Sequence, residues 1–161
     1  KYNLMKTIKN LSIALLLLVT SFSFAQNDLL NGEDITTSKL KSLFENAYID
    51  VLETKETYVK VKDNKTVYID VDSKNRFISF NSVYNLQKGV SDKEILELFN
   101  KVNKDVIMLK CYYNKEGNTV SFFYYYWIDG GYSNKTIINA FKLFQVGIDL
   151  ALTKDEKKNI F

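Results

Sequence analysis

LKCYYNKEGNTVSFFYYYWIDGGYSN, residues 109–134, sets the architecture of this chain. Two apolar runs flank an Asn114-Lys115-Glu116-Gly117-Asn118 turn, and the second carries six aromatics in succession, Phe122 to Trp127. Successive side chains of a strand point to opposite faces, so an unbroken aromatic run puts large apolar groups on both. Such a strand belongs in the middle of a sheet. Downstream, Gly130-Gly131 permits a tight reversal, Ser133 or Asn134 can cap, and 136–152 reads as a long helix. Ile137, Phe141, Phe144, Ile148 and Leu152 mark its core face. Ile138, Leu143, Val146 and Leu150 widen that face, so heavy burial is expected. The remaining residues, 153–161, read as a charged, frayed tail.

Upstream, Ser91-Asp92-Lys93-Glu94 is a capping box, with the stripe Ile95, Leu98, Phe99 and Val102 behind it. Before it come three short alternating runs, 57–62, 66–72 and 76–81, separated by Asp63-Asn64-Lys65 and Asp72-Ser73-Lys74-Asn75 turns. Thr36-Thr37-Ser38 offers a cap for Leu40, Leu43, Phe44 and Ala47 at helical spacing. Strands at 105–113 and 119–129 complete the set. The fold expected is α+β: one antiparallel sheet of about five strands with three helices, in the order α-β-β-β-α-β-β-α.

Residues 36–152 are one domain's length. Ahead of them, 26–35 read as a flexible leader and 1–25 as a cleaved signal peptide. Met5-Lys6-Thr7-Ile8-Lys9 is a basic start, Leu11 to Val19 an apolar stretch, and Ser23-Phe24-Ala25 a small-x-small cleavage site. Residues 1–4 then lie upstream of the true start at Met5. The apolar segment is shorter than the roughly 20 residues that cross a bilayer, so no stable membrane anchor is expected after cleavage. The location implied is periplasmic or secreted. Cys111 lies far from the cleavage site and cannot carry a lipoprotein anchor.

Charge and composition exclude several function classes. Of 22 basic residues, Lys1, Lys6 and Lys9 precede the cleavage site, which leaves 19 against 19 acidic ones. A neutral mature chain without a basic stripe gives no grip on nucleic acid. The sequence has no histidine and a single cysteine. That removes histidine-based triads, histidine-ligated zinc and any intramolecular disulfide. Cys111 has core parity and reads as a buried thiol rather than a nucleophile. Asp70 and Asp72 share a strand face, but no base or metal partner stands beside them, so they are not a glycosidase-like pair. Asn100 and Asn103 fit loose carbonyls or the turn after their helix. No catalytic residue, metal or cofactor is expected, and the chain reads as a non-enzyme.

The order of elements, with Phe99-Asn100-Lys101-Val102-Asn103, Leu109-Lys110-Cys111-Tyr112-Tyr113 running into the 114–118 hairpin, and Ile128-Asp129-Gly130-Gly131-Tyr132-Ser133 opening the last helix, resembles the YbjN-like family. Members are often labelled bacterial sensory transduction regulators, and their plan is similar to that of type III secretion chaperones. The resemblance spans about residues 36–152 and implies a fold; it supplies no catalytic residue. In one departure, Asn46-Ala47-Tyr48 follows the first helix where relatives often place glycine. The export signal is another, because many relatives lack one, so a cytosolic signalling role does not transfer.

Parity divides the strands. Val59/Val61, Val67/Ile69/Val71, Ile78/Phe80, Ile107/Leu109/Cys111 and Val120/Phe122/Tyr124/Tyr126/Ile128 form one apolar face, assigned to the helices. Tyr58, Tyr68, Phe77, Tyr112, Phe123, Tyr125 and Trp127 fall opposite, among Lys60, Lys62, Asp70, Asp72, Lys110 and Ser121. Aromatic and charged residues together read as an interface. Tyr58, Tyr68, Tyr112, Phe123, Tyr125 and Trp127 are its candidate residues, the last three its central anchors. Three coverings are open: the second helix of the same chain, a homodimer or exported protein partner, or a peptide or apolar ligand. The function expected is protein binding, as a homodimer or chaperone-like module; the alternative is a small periplasmic binder of apolar ligand or peptide.

Overall fold

A computed structural model describes residues 29–158 and 160–161. The signal-peptide reading of 1–25 therefore lies outside the described residues. From Asn31 onward the chain forms one unit. A short 3-10 turn, Gly32–Asp34, leads into α1 (Thr37–Asn46), β1 (Asp50–Thr54), β2 (Tyr58–Lys62), β3 (Thr66–Val71) and β4 (Phe77–Asn85). Then follow α2 (Asp92–Asp105), β5 (Lys110–Asn114), β6 (Thr119–Trp127) and α3 (Asn134–Thr153).

The sheet is antiparallel with the order β1-β2-β3-β4-β6-β5, so the aromatic strand β6 is internal, as its two-sided pattern requires. Its nine-residue ladder with β4, from Phe77 opposite Trp127 to Asn85 opposite Thr119, is the longest in the sheet. Among the described residues the class is α+β, with three helices and one open sheet of six strands. The sixth is β1, where a bulge at Leu52 between Val51 and Glu53 breaks the two-residue period. That break hides the strand from an alternation test.

The three described helices lie on one side. Phe44 of α1 meets Phe141 of α3 edge-on at 5.2 Å between centroids, and Phe141 and Phe144 both pack on Phe80 of β4. Phe99 of α2 meets Tyr113 of β5, and the Cys111 thiol donates to the Phe99 carbonyl at 3.6 Å. Val59, Val61, Val67, Ile69, Ile78, Phe80, Val120, Phe122 and Ile128 are fully buried on that side.

The caps explain where the helices begin. Thr36 accepts from the Lys39 amide, and Ser91 and Glu94 form the capping box expected from sequence. Ser133 and Thr136 form a second one. At the end of α1 the amide of Ile49 donates to Phe44 and that of Tyr48 to Glu45, which is a Schellman motif. Its left-handed position is held by Tyr48 at φ 59°, where glycine would be relaxed.

Several expectations are corrected. α2 continues through Asp105 with Val106 as its buried cap, so β5 starts only at Lys110. Ile107, assigned by parity to the core, is instead 86% exposed in the turn. α3 is only half sunk into the sheet: Leu143, Val146 and Leu150 face outward. This helix has the length and composition of a membrane span, yet Ile137, Phe141, Phe144 and Ile148 are buried in the core.

Residues 31–35 of the leader and the described residues of the tail also belong to the fold. Ile35 is buried, and Gly32 lies so close to Ile128 that a Cβ would sit 2.6 Å from its carbonyl oxygen. At the other end, Phe161 stacks on Phe99 and tilts against Phe122. The Asp155 carboxylate accepts from the amides of Ile160 and Phe161, and the Gln87 amide donates to Ile160.

Candidate functional site: the open aromatic face of the sheet

The side of the sheet away from the helices has no described element packed on it, so α2 does not cover it. Its side chains form two aromatic groups around a polar seam. On β4 and β6, Phe77 meets Tyr125 at 5.4 Å and Trp127 at 5.3 Å, both edge-on. Phe123 stacks on Tyr125 at 6.3 Å. On β2 and β3, Tyr58 meets Tyr68 edge-on at 5.6 Å. Between them stand Asp70, Ser79 and Asn81, with the Ser79 hydroxyl donating to Asp70 at 3.5 Å.

Cations line the aromatic groups. The Lys60 ammonium lies 5.0 Å from the centre of the Tyr68 ring, and the Lys110 ammonium 5.7 Å from that of Tyr125. Arg76 lies 5.6 Å from Phe77. Its guanidinium also binds Asp72, whose carboxyl it holds down to about 2. Asp72 is thereby consumed in a turn rather than displayed on the face. At the far edge, Glu53 accepts from the Tyr58 hydroxyl at 2.9 Å and pairs with Lys55. Lys55 and then Tyr58 hold the Glu53 carboxyl below its usual value.

Two polar groups on the seam are poorly served. Burial pushes the Asp70 carboxyl above the ordinary range, and only Ser79 opposes the shift. The Asn81 side-chain oxygen is shielded from water without a hydrogen-bond partner among the described residues, an arrangement that folded proteins rarely leave standing.

Five of the six candidate residues sit in these aromatic groups. Tyr58 and Tyr68 form one pair, and Phe123, Tyr125 and Trp127 share the other with Phe77. Trp127 is 62% and Tyr125 40% exposed. Tyr112 is on the same face but stands on the edge strand opposite Ser121, 64% exposed and outside both groups. Sequence reading missed Glu53, because its strand was hidden by the bulge. It missed the place of Asn81 because β4 runs four residues further than expected. There the pattern inverts, with Ser82 buried and donating to the Thr66 carbonyl while Val83 is exposed.

Elsewhere the chemistry is sparse. Burial pushes the Cys111 thiol up to about 11, so it is not a thiolate at neutral pH. Asn103 accepts from the Cys111 amide at 2.9 Å, which ties the end of α2 to edge strand β5. Among the described residues no three Cys, Asp or Glu side chains gather as a metal site. A cleft beside α3, lined by Ile107, Met108, Leu109, Tyr124, Leu143, Phe144 and Gly147, holds about 190 Å³ including its open mouth.

No family model matches the chain, and no curated protein matches it in sequence. In three dimensions it matches the crystal structure of YbjN from E. coli. The TM-score is 0.65 at 8% identity, over 76% of this chain and 93% of that one. A match at that identity concerns the fold, and the fold of this chain is YbjN-like.

Proposed function

We propose that this chain is an exported, non-enzymatic YbjN-like domain that works by binding protein through the open face of its sheet. One observation carries the reading: Phe77, Phe123, Tyr125 and Trp127 form a contiguous ring cluster on internal strands, with no described element over it. Aromatic side chains on a rigid sheet lose little entropy on binding and dominate interface energetics. An apolar patch left uncovered would otherwise invite aggregation. The cleft beside α3 favours small-molecule binding less, because its volume is below the ~300–1,000 Å³ of ligand pockets. The absence of histidine from the sequence and the raised Cys111 thiol support a binding rather than catalytic role.

A photo-crosslinking residue at position 125 tests the face in the native exported fraction. Protein adducts are expected, and the Phe123→Ser change should abolish them. Adducts that survive this change, or a solvent-exposed Trp127 emission that no protein of the fraction shifts, would sink the binding role. Export has its own check, since the mature chain should begin at Gln26 by mass spectrometry. A retained Met5 would refute it.

A further inference from the structure

We infer that the partner of the open face is a second copy of this chain, packed sheet to sheet about a two-fold axis that runs parallel to the strands between β3 and β4. The inference rests on the reading of that face as a protein-binding surface, and it comes from the order of residues across the sheet. The cross-strand register links Glu53, Lys60, Tyr68, Asn81, Phe123 and Lys110 into one row that crosses all six strands. A second row, one rung away, reads Tyr58, Asp70, Ser79 and Tyr125.

A two-fold axis in that direction lays β1 over the partner's β5, β2 over its β6 and β3 over its β4, and preserves the row. The self-complementarity that an isologous contact demands then appears at each step. Glu53 at one end of the first row meets Lys110 at the other. Lys60 meets the Phe123 ring, a cation over an aromatic face. Tyr68 meets Asn81, an aromatic ring over a side-chain amide. In the second row Tyr58 meets Tyr125, and Asp70 meets the Ser79 hydroxyl.

A two-fold axis across the strands and through this row would instead place each strand over itself and oppose Lys60 to Lys60 and Lys110 to Lys110. Like charges then meet, so the charge order of this row favours the strand-parallel axis. The dimensions also suit a dimer. Six strands at about 4.8 Å spacing span about 24 Å, and the Ser121 to Trp127 length of β6 adds about 20 Å along the strands. Stable interfaces use about 800 Å² of accessible surface per partner, a scale that a corrugated footprint of this size approaches.

The test is light scattering on the protein as cells produce it, with circular dichroism to confirm that each variant folds. Glu53 and Lys110 lie on edge strands with exposed charges, so their exchange leaves the core untouched. A dimer is expected at about 100 µM, with Glu53→Lys or Lys110→Glu each weakening it about tenfold and the double exchange restoring it. A monomer at that concentration overturns the inference, and position-125 crosslinking to another protein would still uphold the face as a binding surface. A dimer weakened by Phe123→Ser and Tyr125→Ser but not rescued by the double exchange overturns the proposed axis. A dimer indifferent to both serine changes overturns the inference and the binding role of the face together.

Discussion

Strand β6 carries the same chemistry on both sides and puts it to different uses. Phe122 and Tyr124 face the helices, where Phe122 meets Tyr84 and Phe161, and Tyr124 stacks on Phe80. Phe123, Tyr125 and Trp127 face the other way, where among the described residues the rings meet neighbours on the same surface and the flanking Lys110 cation. Residue type does not separate the two groups. Position relative to the helices does, and it turns one set into fold stability and the other into available surface.

The largest expected effect lies on the covered side. Phe122 is 0% exposed, and truncation of a buried phenylalanine costs about 3–5 kcal/mol through lost burial and the cavity left behind. Phe122→Ala should therefore lower the urea midpoint steeply and release the Phe161 contact. A midpoint shift below that of an exposed-face variant would break the distinction between the two sides.

On the open side the balance reverses. Phe123→Ser loses one stacked neighbour, and such aromatic pairs are worth about 0.5–1.5 kcal/mol. Loss of a central anchor from an interface costs about 2 kcal/mol or more. The variant should thus stay folded and lose association by more than it loses stability. Trp127, the sole tryptophan in the chain, reports directly: its emission should shift to the blue on association in the parent and remain red in the variant. Loss of folding instead would mean that β6 needs both faces to hold together.

A change that touches neither face calibrates these two. Tyr48 is 98% exposed and occupies the left-handed position of the α1 terminus. A residue with a Cβ costs about 1–2 kcal/mol there, partly offset by the greater unfolded-state freedom of glycine. Tyr48→Gly should raise stability by about 1 kcal/mol and leave association unchanged. An altered dimer constant would show that folding stability and face occupancy are coupled.

Sequence pattern reached the architecture because the strands that matter most alternate cleanly. Val67/Ile69 on β3, Ile78/Phe80 on β4 and Val120/Phe122 on β6 fell on the buried side as parity required. It failed where a local event broke the period. The Leu52 bulge hid β1 and with it Glu53, and the buried Ser82 beside exposed Val83 ended β4 too early. The extra turn of α2 took residues that alternation had assigned to β5, which moved Ile107 from core to solvent. Ring clusters and the unpartnered Asn81 oxygen depend on cross-strand register, which no single strand encodes.

The smallest effect is also the one most specific to the open face. Asp70 lies opposite Tyr58 and Ser79 in the sheet, with Lys60 on the same face of β2. Burial raises its native carboxyl above the unfolded value, and the Ser79 hydroxyl offsets only part of that rise. Because the native value is the higher one, the native state binds the proton more tightly. The associated stability is fully present below the unfolded pKa of about 3.9 and disappears as pH rises through the native value. At neutral pH the carboxylate is therefore a small cost. Asp70→Asn should stabilise the monomer slightly at pH 7, and its advantage should vanish on acidification. If a second copy covers the seam, desolvation of Asp70 deepens, so the parent dimer should tighten as pH falls through that range while the Asn variant responds less. Equal pH responses of parent and variant dimers would show that association buries Asp70 no further and that nothing packs on the seam.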